Sequence, residues 1–184
     1  MKILLVGYIA NEASHRLIQN EKPALKCRFS DRFLLLTEER TKNASVEYKT
    51  IVEIFDRTGL NIEKDDIMEL QDTGIYGGLW EFAEKSSVGL EVYLDKISIM
   101  QETVEVFEFL DINPYTYPSK GAWLIRSERA YDLADAFNQM GIKASVIGSE
   151  TKNNDRVIIN NDETRFLTPI DRLLKDEQGS RNLR

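Results

Sequence analysis

With 184 residues, 42% of them hydrophobic, and a formal charge of −7, the chain has enough apolar content for a substantial core. It has too little clustered cationic charge for a phosphate-backbone partner, so nucleic acid is excluded. The lone cysteine, Cys27, rules out an internal disulfide framework and a Cys-rich zinc site, and fits a reducing cytoplasm.

The opening MKILLVGYIA is too short an apolar run for a signal-peptide core or a membrane span. Residues 2–8 read instead as a buried strand. Asn11 to Asn20 follows as a helix, with Asn11 placed to cap it and Ala13, Leu17 and Ile18 on one side. Pro23 interrupts the chain. A second helix starts near Ser30, runs through Phe33, Leu34 and Leu36, and fades over Thr41 to Ala44. From Ser45, the residues Tyr48, Ile51, Val52 and Phe55 recur at helical spacing until Gly59 supplies a stop.

Ile67 to Leu70 is a short strand that leads through a Gly-containing turn into a helix over Gly74 to Ser86, whose buried face is Ile75, Leu79, Phe82 and Ala83. A turn of this kind leaves backbone N–H groups free at the helix start, where an anion can bind. Leu90 to Leu94 reads as a strand, Gln101 to Leu110 as a helix, and the GAWLI run after Pro118 as a buried strand. Ala130, Leu133, Ala134 and Phe137 mark a further helix ended by Gly141. Strands over Lys143 to Gly148, Arg156 to Asn160 and Thr164 to Leu167 complete the order, the last two joined as a hairpin through Asn160, Asn161 and Asp162. This alternation predicts a layered α/β sandwich over residues 1–174, with a charged tail from Lys175 that frays.

The stretch DIMELQDTGIYGGLWEFAEKSSVGLE resembles the segment that opens the principal helix of the C-terminal domain in the aminoimidazole ribonucleotide synthetase superfamily. Within that superfamily it is most similar to the hydrogenase maturation factor. The family pattern is His-Asp-x-Thr-Glu-Gly-Gly, followed by Ala-Leu-Trp-Glu-x-Ala-Glu. Here the helix half is kept and the polar half is eroded: Met68 and Glu69 stand where His-Asp would be, and Gln71, Asp72, Thr73 and Gly74 where Thr-Glu-Gly-Gly would be. GYIANEAS resembles the Gly-x-x-Gly-x-Glu-Gly segment that begins the same domain, and Ser119 and Gly121 match a Ser-Glu-Gly turn in which Lys120 replaces the acid. The resemblance implies a mixed sheet with helices packed on it.

It also implies differences from the intact enzymes. Their N-terminal half, which holds ATP and magnesium, has no counterpart in this sequence, and no Gly-x-x-x-x-Gly-Lys-Ser/Thr loop replaces it. The maturation factor's terminal Pro-Arg-x-Cys acceptor is absent; Pro169 and Asp171 resemble the approach to it, but the sequence finishes GSRNLR. ATP and magnesium are therefore expected only if a partner supplies them, and no catalytic residue is assigned.

The ligand-binding candidates are Glu69, Gln71, Asp72, Thr73, Gly74, Ser119 and Gly121. Each has a plainer role beside it. Asp72 or Thr73 can simply cap the helix. Gly77 and Gly78, each costing about 1 kcal/mol relative to Ala inside a helix, point to close packing. His15 has no second ligand at metal spacing, Cys27 lies between two cations, the pairs Glu38-Glu39 and Asp65-Asp66 look solvated, and Trp80 and Trp123 belong to packed segments and read as core or interface residues rather than stacking platforms.

Three functions follow as expectations. The first is a non-catalytic binding or regulatory domain with a protein partner, or as a homodimer. The second is half of a split ATP-dependent enzyme, and the third a module for a small anionic, phosphorylated metabolite.

Overall fold

The computed structural model describes residues 1–60 and 67–169. In chain order, strand β1 (Lys2–Val6) leads into helices α1 (Asn11–Asn20), α2 (Lys22–Leu25), α3 (Asp31–Lys42) and α4 (Tyr48–Thr58). Then come β2 (Ile67–Glu69), α5 (Gly74–Ser86), β3 (Gly89–Tyr93), α6 (Gln101–Phe109), β4 (Trp123–Ser127) and α7 (Ala130–Gln139). The chain continues through β5 (Ala144–Thr151), β6 (Arg156–Asn160) and β7 (Glu163–Phe166). The strands form one sheet in the order β2-β4-β1-β5-β3-β6-β7. It is mixed, as expected: β3 and β6 run parallel, and the other neighbours are antiparallel.

The pleat of β1 divides the core. Ile3 and Leu5 face Ile75, Leu79, Phe82 and Ala83 of α5, the four residues whose spacing predicted that face. Leu4 and Val6 point the other way, onto Ile51, Ile54 and Phe55 of α4 and Leu133, Ala134 and Phe137 of α7. A third apolar cluster, with Ala13, Ile18, Leu34, Val106 and Phe107, joins α1, α3 and α6.

Helix signals hold where they are local. The Ser30 side chain accepts from the Phe33 amide and caps α3, and Gly59 closes α4 in the left-handed region at φ 63°. The Asn161-Asp162 turn joins β6 to β7 as predicted, with Asn160 opposite Glu163.

Several expectations are corrected. β1 stops at Val6, because Gly7 turns the chain at φ 89°. Asn11 does not cap α1: the cap position belongs to Ala10, at φ 57°, and Asn11 is a buried residue of the helix itself. Pro23 starts the short helix α2 rather than only interrupting, since a proline in the first turn removes an amide that has no partner there. Asp65-Asp66, Asp171 and the tail from Lys175 lie outside the described residues.

Candidate functional site

β1 and β2 both run antiparallel to β4, so the ends of β1 and β2 meet the start of β4 at one end of the sheet. Three turns converge there: Gly7–Ala10, Leu70–Thr73 and Pro118–Ala122. Short hydrogen bonds lock them together. The Ala10 amide donates to Ser119 Oγ at 2.9 Å, and Ser119 Oγ donates to the Tyr117 carbonyl at 3.0 Å. The Ser119 amide reaches the Gln71 carbonyl at 3.2 Å, and the Leu70 amide the Ala122 carbonyl at 2.8 Å. Across the same junction, the Gly121 amide donates to Glu69 Oε1 at 3.0 Å, while Gln71 Nε2 lies 3.4 Å from Glu69 Oε2.

Four of the sequence candidates, Glu69, Gln71, Ser119 and Gly121, are thus brought together. Asp72 is exposed on the adjoining turn. Thr73 occupies the cap position of α5, but neither it nor Asp72 accepts a capping bond with its side chain, which corrects that expectation. Its side chain lies instead over Gly77, where a Cβ would collide with it, and Gly78 is held in the same way against the side chain of Leu70. Close packing therefore accounts for both glycines.

Gly74 adopts φ 64°, and a Cβ there would stand 2.6 Å from the Tyr115 carbonyl oxygen and 2.7 Å from that of Tyr117. Acceptors, not donors, press on the start of α5. Tyr115 also stacks on Tyr76, with ring centroids 5.4 Å apart, and burial, reinforced by Tyr115, pushes the Tyr76 hydroxyl up to about 12.

Beside this junction lies a groove of about 430 Å³ whose lining includes Glu12, Glu47, Tyr48, Glu69, Lys120 and Trp123. Trp123 is 9% exposed and anchors its indole by donating to the Val46 carbonyl at 2.7 Å. Tyr48 leans on it at 5.6 Å and remains 52% exposed. Three carboxylates face one ammonium there. The sequence reading missed Glu12, Glu47 and Tyr48; Trp123, read from sequence as core or interface, is nearly buried and also walls the groove. For Glu12 a signal existed, since GYIANEAS sets it where the Gly-x-x-Gly-x-Glu-Gly pattern has its acid; Ala10, in the left-handed region, stands where that pattern has its second glycine.

Other candidates fall elsewhere. His15 sits half-buried on α1 with Nδ1 3.2 Å from the Glu38 carbonyl oxygen, and Cys27 is exposed. Among the described residues, no group of three or more His, Cys, Asp or Glu is placed to hold a metal ion, and no helix is long and apolar enough to cross a membrane.

No family model matches the chain. A Methanocaldococcus jannaschii protein described as a hydrogenase expression/formation protein is 31% identical over 90 residues, covering 47% of this chain and 27% of that protein. Among solved structures, HypE of E. coli superposes with a TM-score of 0.69 at 16% identity, over 91% of this chain and 49% of HypE. The structure of a HypE-HypF complex matches at 0.64 and 14% identity, over 91% of this chain and 52% of the matched one. The fold is therefore the α/β fold of HypE, as the resemblance implied, and the chain spans about half the length of the solved structures it matches.

Proposed function

We propose that this chain is a non-catalytic, HypE-like domain of hydrogenase maturation that docks a protein partner at its strand-end groove. The observation that carries the reading is the composition of that groove: an exposed tyrosine leaning on an anchored tryptophan, rimmed by charge. Aromatic side chains held rigidly beside charged groups are what protein contacts use as anchors. The relatives support the setting, since one is described as a hydrogenase formation protein and another is solved in complex with HypF.

The chemistry of the site supports a non-catalytic role. Where the pattern has His-Asp, the chain has Met68 and Glu69, and Glu69 is engaged with the Gly121 amide. Tyr115 and Tyr117 direct carbonyl oxygens at the helix start. Glu12, Glu47 and Glu69 outweigh Lys120, so the groove favours a partner's basic side chains over a phosphorylated metabolite.

A second reading rests on the exposure of Gln71 and Asp72 beside the groove, which in a split ATP-dependent enzyme would front a separate ATP-binding half. One experiment separates the two. Tagged protein is purified from its native cells, and whatever is retained is identified by mass spectrometry and assayed for ATP hydrolysis. The docking reading predicts a hydrogenase-maturation protein that is lost from the Tyr48→Ala variant, with no ATP turnover. Retention of an ATP-binding subunit, with turnover that disappears on Asp72→Ala, would favour the split enzyme.

A further inference from the structure

At the far edge of the sheet from the groove, β7 has no strand on its outer side among the described residues. The Leu167 amide donates to the Arg156 carbonyl, and the Leu90 amide to that of Asp155. By the alternation of the antiparallel ladder, Glu163 and Arg165 turn their backbone groups toward β6, whereas Thr164 and Phe166 turn theirs outward. The side chains alternate too. Glu163 and Arg165 share the face of Ile158 and pair with each other at 2.6 Å while 66% and 77% exposed; Phe166, on the opposite face, is 72% exposed.

An edge with no neighbouring strand is a template for another strand, and proteins commonly guard it with charged side chains or extreme shortness. β7 is short, at four residues, but its two charges, Glu163 and Arg165, are of opposite sign and two residues apart, so a second copy can complement them where a neutral strand cannot. Across a two-fold axis, outward-facing residues must meet outward-facing residues, so the axis passes through residue 164, 165 or 166. An axis at Arg165 sets two guanidinium groups side by side, which is unfavourable. An axis at Phe166 leaves both charges without a cross-strand partner of opposite sign. An axis at Thr164 places Glu163 opposite Arg165 of the second copy, twice, and lets the two Thr164 residues exchange backbone hydrogen bonds.

We infer that β7 is a self-association edge, pairing antiparallel with β7 of a second copy in the register that sets Thr164 opposite Thr164. The sheet then continues from one copy into the next, and the interface is isologous, as a closed dimer requires. This surface is separate from the groove, so its test stands or falls without the partner reading.

Sedimentation velocity of the full chain over a concentration series tests it, with Thr164→Pro, Arg165→Glu and the exchange Glu163→Arg/Arg165→Glu as variants. Thr164→Pro deletes an amide that β6 does not use, so the monomer keeps its circular dichroism and melting profile while the dimer is lost. Arg165→Glu weakens self-association roughly tenfold or more, because two attractions become two repulsions, and the exchanged pair restores it. A chain that is monomeric throughout the series, a dimer that persists in Thr164→Pro, or one indifferent to Arg165→Glu would overturn the inference.

Discussion

The amide of Ala10 and the hydroxyl of Ser119, 109 residues apart in sequence, meet at 2.9 Å in a position closed to solvent. This bond ties the turn after β1 to the turn before β4, and so fixes one border of the groove. Ser119→Ala leaves the Ala10 amide buried with no acceptor, which costs about 1–3 kcal/mol. Urea unfolding should show the midpoint fall with the slope unchanged.

Two glycines share a left-handed backbone and differ in their surroundings. Gly74, at φ 64°, has carbonyl oxygens within 2.7 Å of a would-be Cβ, whereas Gly59, at φ 63°, has nothing within 4 Å. Gly59→Ala should cost about 1–2 kcal/mol from backbone strain alone. Gly74→Ala adds overpacking against Tyr115 and Tyr117, for a total of about 2–5 kcal/mol. Equal losses in thermal melts of the two variants would mean that the Tyr115–Tyr117 turn does not press on α5.

Alkaline titration probes the Tyr76–Tyr115 stack. Burial first, and then Tyr115, raise the Tyr76 hydroxyl from its ordinary 10.0 to about 12. The folded state therefore keeps a proton that the unfolded chain gives up. That contribution is intact below pH 10 and is lost between about pH 10 and 12. Tyr76→Phe has no phenol to ionise, so its stability should fall less steeply over this window than that of the unaltered chain. Parallel slopes in denaturant titrations at pH 9, 10 and 11 would refute the assignment.

Edge geometry gives a prediction at the groove itself. Glu69 holds the Gly121 amide through Oε1, so Glu69→Gln keeps an acceptor and should change stability little, whereas Glu69→Ala strands the amide and costs about 1–2 kcal/mol. Chemical denaturation of the pair checks the difference.

Much of the fold was legible because its signals are local. Ile75, Leu79, Phe82 and Ala83 fall on one helical stripe, and Asn161-Asp162 sits between two β-rich runs, so α5 and the last hairpin follow from spacing and turn chemistry. What failed depends on distant residues. Capping preference favours Asn11, yet the turn is settled by Ser119, which draws the Ala10 amide and leaves Ala10 in the left-handed region. Thr73 has the right chemistry to cap α5, but its side chain is committed to Gly77.

The site was half legible for the same reason. Glu69 ends β2, and Gln71, Ser119 and Gly121 lie in turns, so their pattern could be read directly. Glu12, Glu47 and Tyr48 enter the groove only because β1 and β2 pair with β4 and because Trp123 reaches the Val46 carbonyl. Strand order and register of that kind are written in no short stretch of sequence.

The most direct test of the docking account is calorimetric titration of the retained maturation protein against the full chain and its Tyr48→Ala and Glu47→Lys variants. The account predicts tight binding to the unaltered chain, a loss of roughly thirtyfold for Tyr48→Ala, and a salt-sensitive loss for Glu47→Lys, all with unchanged melting profiles. Affinities that stay the same in both folded variants would contradict it.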